Sequence, residues 1–373
     1  MRVAGSLGLA AVVGLLVATP AVLADSGPLH QVDTPYFGVS GGNVKDISAA
    51  FCCSGTLGSL VRDANGTPYV LSNNHVLARS ERAIPGEDIA QPGLIDTACQ
   101  IPANGIVADL TAAPKLGANV DAAIARLRAL PTGELAMDPT GSIQDIGTIS
   151  GVVRAPAPGL AVAKSGRTTG LTTGVIGSIN TSVSVQYQRG CGQGKKFTVR
   201  YTNQVVINSS TFSAGGDSGS LIITHDACHQ LVALLFAGSS SATIANPIGE
   251  VLSKVGASLG RPISFVGDTC STTTVLQSPD SGVVALATPS GALGVGPSQA
   301  AIEHATAILQ HHIETLMAVP GVMGVGLGAS DANPAEGVTT IYVDQTTGRA
   351  PRLPHQLQGI RVKIIPSDPF IAY

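Results

Sequence analysis

The sequence is poor in charge: Lys, Arg, Asp and Glu together make up 12% of its 373 residues and leave a net charge of −3. No basic field exists to hold phosphate backbones or acidic lipid, so nucleic-acid and peripheral-membrane roles fall away. No apolar run reaches the roughly 18 residues that a membrane-spanning helix requires. Helical periodicity is almost absent between residues 55 and 265. Metal-binding spacings are missing too. His225 and His229, with Asp226 and Cys228 between them, match no strong zinc pattern, and neither a metal nor another cofactor is expected.

The N-terminus carries a readable signal. Met1-Arg2 is a short positive start, residues 7–18 form an apolar stretch too short to span a bilayer, and Val22-Leu23-Ala24 offers small residues before a cut at Asp25. Residues 1–24 therefore read as a signal peptide, which predicts a secreted, extracellular protein with no membrane association after cleavage. Six cysteines, Cys52, Cys53, Cys99, Cys191, Cys228 and Cys270, then read as disulfides. A bridge between the adjacent Cys52 and Cys53 would be strained. The expected pairs are Cys191 with Cys228, and Cys99 with one of the two neighbours.

Short β-rich runs occur at residues 58–61, 69–71, 122–124, 205–207, 221–223 and 231–235, separated by Gly, Asn, Pro and Ser. Such a pattern predicts an all-β domain of about 200 residues, made of two barrels or sheets. Its bounds are read as 51–265, after an N-terminal segment at 25–50. Residues 266–297, rich in Ser, Thr, Gly and Pro, read as a linker. Beyond it, Ile302, Ala305, Ile308, Leu309, Ile313, Leu316 and Met317 recur at helical spacing between a Ser298 cap and a Pro320 stop. Strand-like runs at 321–328, 339–343 and 360–365 complete a small α+β unit over 298–373. His304, His311 and His312 share one side of its helix and read as a solvated face. This unit is compatible with a chaperone, an inhibitor or a substrate-binding role; an accessory stabilising unit is the expectation.

A serine hydroxyl becomes a good nucleophile only when a base takes its proton and a third group orients that base. The oxyanion that follows needs backbone N–H donors, hence an unusual turn around the serine. Gly215-Gly216-Asp217-Ser218-Gly219-Ser220 suits such a turn, with the N–H groups of Gly216 and Ser218 as donors. His75 lies at the end of an apolar strand run, where a positioned base belongs. Asp121 stands at the mouth of another, where burial demands a hydrogen-bonding partner. Asp96 and Asp109 compete for that role, Asp109 more seriously because its surroundings are also apolar.

The order His75, Asp121, Ser218 resembles that of the chymotrypsin-like serine proteases. Residues 164–170, Lys-Ser-Gly-Arg-Thr-Thr-Gly, resemble a segment of their bacterial secreted branch, which includes α-lytic protease and the streptogrisins. Fold and function follow from the resemblance as expectations. The fold would be two six-stranded antiparallel β-barrels, carrying an extra C-terminal unit. The chain would be a monomeric endopeptidase acting on protein or peptide substrates. Lys164 would pair with Asp217, with Arg167 in reserve. Residues 235–239 resemble the strand that receives substrate backbone, with Gly238 at its glycine position. Phe212 resembles the base of the primary specificity pocket and carries no acid, which implies a small or apolar residue on the acyl side of the cut.

Departures from that pattern are equally plain. Phe236 stands where the family has a serine that helps hold the triad aspartate, so Asp121 needs another partner. Asn73-Asn74 replaces small residues, Val76 replaces the cysteine of animal members, and the long N-terminal pro-region is missing. Two rival functions remain open: a catalytically silent member that binds peptide or cell wall, and an esterase on the same fold.

Overall fold

A computed structural model describes residues 35–270, 296–348 and 351–373. The signal peptide read at 1–24 and most of the 266–297 linker lie outside the described residues. The first barrel is built from β1 (Val39–Asn43), β2 (Gly55–Leu57), β3 (Ser59–Asp63), β4 (Pro68–Ser72), β5 (Asp88–Ala90), β6 (Ile106–Ala112) and β7 (Ala123–Leu127). β2 and β3 are one strand bent at Gly58: the first half pairs with β1 and the second with β4, all antiparallel. β4 then pairs with β7, β7 with β6, β6 with β5 and β5 with β1, so six strands close on themselves. Residues 39–43, placed by the sequence in a separate N-terminal segment, thus supply a barrel strand.

The second barrel uses β8 (Ala161–Lys164), β9 (Thr172–Gln188), β10 (Lys196–Ile207), β11 (Leu221–Thr224), β12 (Leu231–Gly238) and β13 (Thr243–Pro247). Antiparallel pairing runs β8–β9–β10–β13–β12–β11 and returns to β8. Closure removes exposed strand edges; one apolar cluster fills the first barrel and reaches Leu221, Leu231 and Leu234 across the seam, and another fills the second barrel and continues under α3. The fold is therefore the expected double barrel. A short helix α1 (Asn74–Leu77) follows β4. Helix α2 (Ile248–Leu259) follows β13, burying Ile248, Val251 and Val255 on one side. It departs from the nearly helix-free reading of this region. β14 (Ile263–Phe265) then crosses back to pair with β3.

Helix α3 (Gln299–Met317) is capped by Ser298, whose hydroxyl accepts from the N–H of Ala301. His304 and His311 are exposed on it, and His312 is half-buried. β15 (Val322–Ala329), β16 (Gly337–Asp344), β17 (Gln356–Leu357) and β18 (Ile360–Ser367) follow. β15 pairs with β9, so these strands prolong the second barrel's sheet. β16 pairs antiparallel with β15 and parallel with β18. The last strand, β19 (Ile371–Ala372), turns back and lies between β12 and β9.

The disulfides correct part of the sequence reading. Cys52 pairs with Cys99, but Cys191 joins Cys53 and Cys228 joins Cys270. The expected Cys191–Cys228 pair fails because Cys191 sits in the β9–β10 hairpin, which folds over the loop before β2. Cys53–Cys191 thereby ties a first-barrel loop to a second-barrel hairpin.

Gly58 marks the tightest contact between the barrels: a Cβ there would stand 1.9 Å from the carbonyl oxygen of Gly219. Gly58→Ala is therefore expected to cost about 2 kcal/mol or more, as a clash with backbone that cannot move aside. Gly249→Ala, in helix α2 with open space around it, is expected to cause no loss. Denaturant melts of the two variants check the contrast.

Candidate active site

Asp121 has no solvent exposure, so its carboxylate must be compensated from within. It sits just before β7, and His75 enters from α1. The ring Nδ1–H of His75 donates to Asp121 Oδ2 at 2.6 Å, and its backbone N–H donates to Oδ1 at 3.1 Å. The remaining donor is Tyr187 of β9, whose hydroxyl reaches Oδ2 at 2.9 Å. Because that proton is spent on the carboxylate, the hydroxyl of Tyr201, 2.7 Å away, donates to Tyr187. Burial and the Asp121 charge push the Tyr187 hydroxyl well above its ordinary pKa, which keeps it a donor.

Tyr187 thus supplies the partner that Phe236 cannot. The Phe236 ring packs instead against Tyr201, with centroids 4.9 Å apart. Sequence reasoning missed Tyr187, although Val183, Val185 and Tyr187 alternate as an inward-facing strand row and are all buried. Asn73 and Asn74 hold the backbone around the pair. Asn73 Nδ2 donates to the Asp121 carbonyl at 2.6 Å, and Asn74 Nδ2 to the Pro114 carbonyl at 2.8 Å. Asn246 accepts the Asp121 N–H at 2.9 Å.

The competing acids are used elsewhere. Asp96 accepts from Arg167 Nε at 2.8 Å and Nη2 at 2.7 Å in a buried fork. Asp109 pairs with Arg128 nearer the surface. Arg167 is therefore engaged away from Asp217. Lys164 is the cation there, its Nζ 3.3 Å from Asp217 Oδ2, and neither side chain is exposed. Asp217 also accepts from the N–H groups of Ala214, Thr168 and Thr169 and from the Thr169 hydroxyl. Burial lowers the Lys164 pKa, and the Asp217 charge opposes that shift.

This buried anchor shapes the turn before Ser218. The N–H of Asp217 closes the turn on the Ala214 carbonyl at 3.1 Å, with Gly216 at φ +97°, a conformation that favours glycine. A Cβ at Gly216 would also meet Thr168 Oγ1 at 2.5 Å. Among the described residues, no backbone or side-chain acceptor takes the N–H of Gly216 or of Ser218. Gly55 lies between the two halves of the site: a Cβ there would meet Val76 Cγ2 at 2.5 Å and the Ser218 carbonyl at 2.9 Å.

The serine hydroxyl itself donates to the carbonyl of Phe236 at 3.2 Å, and no hydrogen bond joins it to His75. The other ring nitrogen of His75 faces the chain's own last segment: Nε2 lies 2.8 Å from the carbonyl oxygen of Tyr373. Burial alone would lower the His75 pKa, but the Asp121 charge and hydrogen bond, with the Tyr373 carbonyl, hold it above the ordinary 6.5. Beside His75 a cavity of about 250 Å³ is lined by Asp46, Ser54, Arg79, Gly190 and Tyr373. Burial pushes the Asp46 carboxyl up to about 6 against the opposing charges of Arg79 and His75.

Phe212 is fully buried, and its carbonyl accepts from Thr172 at 2.7 Å. Gly238 ends β12, next to Tyr373.

Two closed six-stranded barrels with this seam between them make the chymotrypsin-like fold. Solved bacterial serine proteases are similar in structure. One is described as a glutamic-acid-specific serine protease that uses a histidine triad in substrate binding. It is 20% identical, with 62% of this chain and 99% of that one covered and a TM-score of 0.42. Thermobifida fusca protease A is 17% identical, covering 63% and 100%, with a TM-score of 0.40. Cellulomonas bogoriensis chymotrypsin has the same identity, coverage and TM-score. No family model and no curated protein matches the sequence.

Asp121→Asn removes the charge that raises the His75 pKa and leaves the burial that lowers it. The His75 ring-proton titration followed by NMR is expected to move to a lower midpoint than in the unsubstituted protein, and an unchanged midpoint would contradict the electrostatic account.

Proposed function

We propose that the protein is a secreted serine endopeptidase. His75 takes the proton of Ser218, Asp121 orients and stabilises the resulting imidazolium, and the N–H groups of Gly216 and Ser218 hold the oxyanion. The serine oxygen attacks the peptide carbonyl. His75 then returns the proton to the departing amine, leaving an acyl-enzyme that water hydrolyses. The observation that carries this reading is the buried His75–Asp121 pair beside a glycine turn that leaves two N–H groups unused near one serine.

Lys164 acts in this scheme as the permanent counter-ion of Asp217, so the turn forms without any freed N-terminus. Gly238 and the backbone of Phe236 border the substrate side, with the Phe212 and Phe236 rings packed in the core behind it. The double-barrel unit, which begins with β1 at residue 39 rather than at 51 and runs to 265, carries the chemistry, and 298–373 is an accessory to it. The disulfides suit an oxidising, extracellular compartment, and no helix among the described residues is long and apolar enough to cross a membrane. The substrate is protein or peptide, and the enzyme works as a monomer.

Two variants test the assignment. A fluorophosphonate is expected to form one adduct, mapped to Ser218 by mass spectrometry. Ser218→Ala is expected to escape labelling and to lose turnover by roughly 10⁴- to 10⁶-fold, the magnitude known for triads of this type. A silent binder would show no adduct at all, while labelling with activity on esters but not on matched peptides would favour an esterase. Tyr187→Phe removes one hydrogen bond to a buried carboxylate, worth about 1.5–3 kcal/mol. It is expected to lower kcat by roughly tenfold or more with little change in KM, since Tyr187 acts through Asp121.

A further inference from the structure

The last residues of the chain lie where a substrate would. β19 runs antiparallel to β12, with Ile371 opposite Gly238 and Ala372 opposite Ala237. Continuing that register sets Tyr373 opposite Phe236, whose carbonyl accepts the Ser218 hydroxyl. An antiparallel peptide strand on β12, its C-terminal residue nearest the serine, has the direction of the acyl half of a substrate.

The side chain of Tyr373 reinforces the match. Its hydroxyl donates to the Ser239 carbonyl at 3.2 Å and lies beside Ser213, so Tyr373 reaches the floor beyond Gly238. A Cβ at Gly238 would stand 2.2 Å from that hydroxyl. Only glycine leaves room for a phenol there. The pocket therefore takes a full aromatic ring with a polar tip, which narrows the small or apolar residue expected from the sequence to a large one.

The segment is also fastened. The Phe370 carbonyl accepts from the Gln186 N–H at 2.9 Å, and the Phe370 ring is buried edge-on against Tyr342, 5.7 Å between centroids. Ser367 Oγ meets Ser239 Oγ at 2.8 Å, and Asp368 accepts from Ser240 and from Gln345. With this segment in place, Ser218 has no exposed surface and His75 Nε2 lies 2.8 Å from the Tyr373 backbone oxygen.

Building on the peptidase reading, we propose that residues 371–373 are a tethered occupant of the substrate cleft, seated as the acyl half of a peptide. The same proposal assigns the site to substrates with tyrosine, or a ring of its size, immediately before the cut. Tethering accounts for occupancy by so short a segment, because a local concentration in the millimolar range saturates even weak contacts. While seated, the segment blocks the cleft and occupies His75 Nε2, the atom that would take the serine proton.

The test compares the full chain with one ending at Phe370, which keeps the buried ring, and with Ile371→Pro, which disrupts the strand without shortening it. Fluorophosphonate labelling of Ser218 is expected to speed up about tenfold or more in both variants. The peptide acetyl-Phe-Ile-Ala-Tyr, at millimolar concentration, is expected to shift the His75 ring resonances in the shortened chain but not in the full chain. In the shortened chain, substrates ending in Ala-Tyr before the cut should outrun their Ala-Ala, Ala-Arg and Ala-Glu counterparts. Equal labelling rates with equal peptide shifts would overturn the tethered occupant, and a preference for Arg, Glu or Ala would overturn the assigned specificity. If the peptide shift appears only after shortening but no chain is ever labelled, occupancy stands and the peptidase reading falls.

Discussion

The site is organised by the need to bury one carboxylate completely. An unpaired charge at Asp121 would cost several kcal/mol, so the surrounding elements must converge on it. The carboxylate is answered by His75 from α1 and Tyr187 from β9, while Asn246 from β13 and Asn73 from the end of β4 fix the Asp121 backbone. Two of these groups belong to the first barrel and two to the second. Satisfying Asp121 therefore aligns the barrels across their seam. The cleft and its histidine are by-products of that alignment.

The same logic governs the turn before Ser218. Asp217 is as buried as Asp121 and is answered by Lys164 and three backbone N–H groups. Those N–H groups come from the loop after β8 and from Ala214, so the loop and the turn are locked together. Arg167, in the same loop, is spent on Asp96, another buried acid. Two cations three residues apart, one ending β8 and one in the loop after it, thus serve two different carboxylates, and swapping them would leave both pairs with the wrong geometry. Arg167 presents a planar fork that matches Asp96 at two atoms, whereas Lys164 offers a point charge to a carboxylate already crowded by N–H donors.

Much of this was legible in the sequence, because strands, turns and buried charges leave local traces. Short β runs between turn residues pointed to an all-β domain of two barrels or sheets, while the six-stranded double barrel and the Lys164–Asp217 pair followed from the resemblance to the chymotrypsin-like proteases. What stayed hidden depends on pairings between distant elements. Tyr187 lies in a polar-looking stretch whose inward row becomes visible only once β9 is known to be seventeen residues long. The Cys53–Cys191 bridge depends on a hairpin folding across the seam, which spacing alone does not encode. Helix α2 was missed although Ile248, Val251, Leu252, Val255 and Leu259 recur at helical spacing, because that run follows a strand directly inside a region read as β throughout. The return of the chain to the cleft left no pattern at all, since Ile371-Ala372-Tyr373 is too short to announce a strand.

The extension of β9 links that return to the rest of the C-terminal unit. One part of β9 closes the second barrel against β8 and β10, and the strand also carries β15 through residues 178–183. Gln186, near its end, holds Phe370 and faces Ile371. Strand β18, which delivers the chain to Ser367, is itself held through β16 and β15 on that same strand. Residues 371–373 consequently hang from a folded sheet that shares a strand with the barrel bordering the cleft. Their local concentration at β12 depends on that sheet staying intact. A disturbance that loosens β15 from β9 would therefore release the cleft without touching a single residue in it, so the accessory unit's stability and the access of peptide to Ser218 are one coupled quantity.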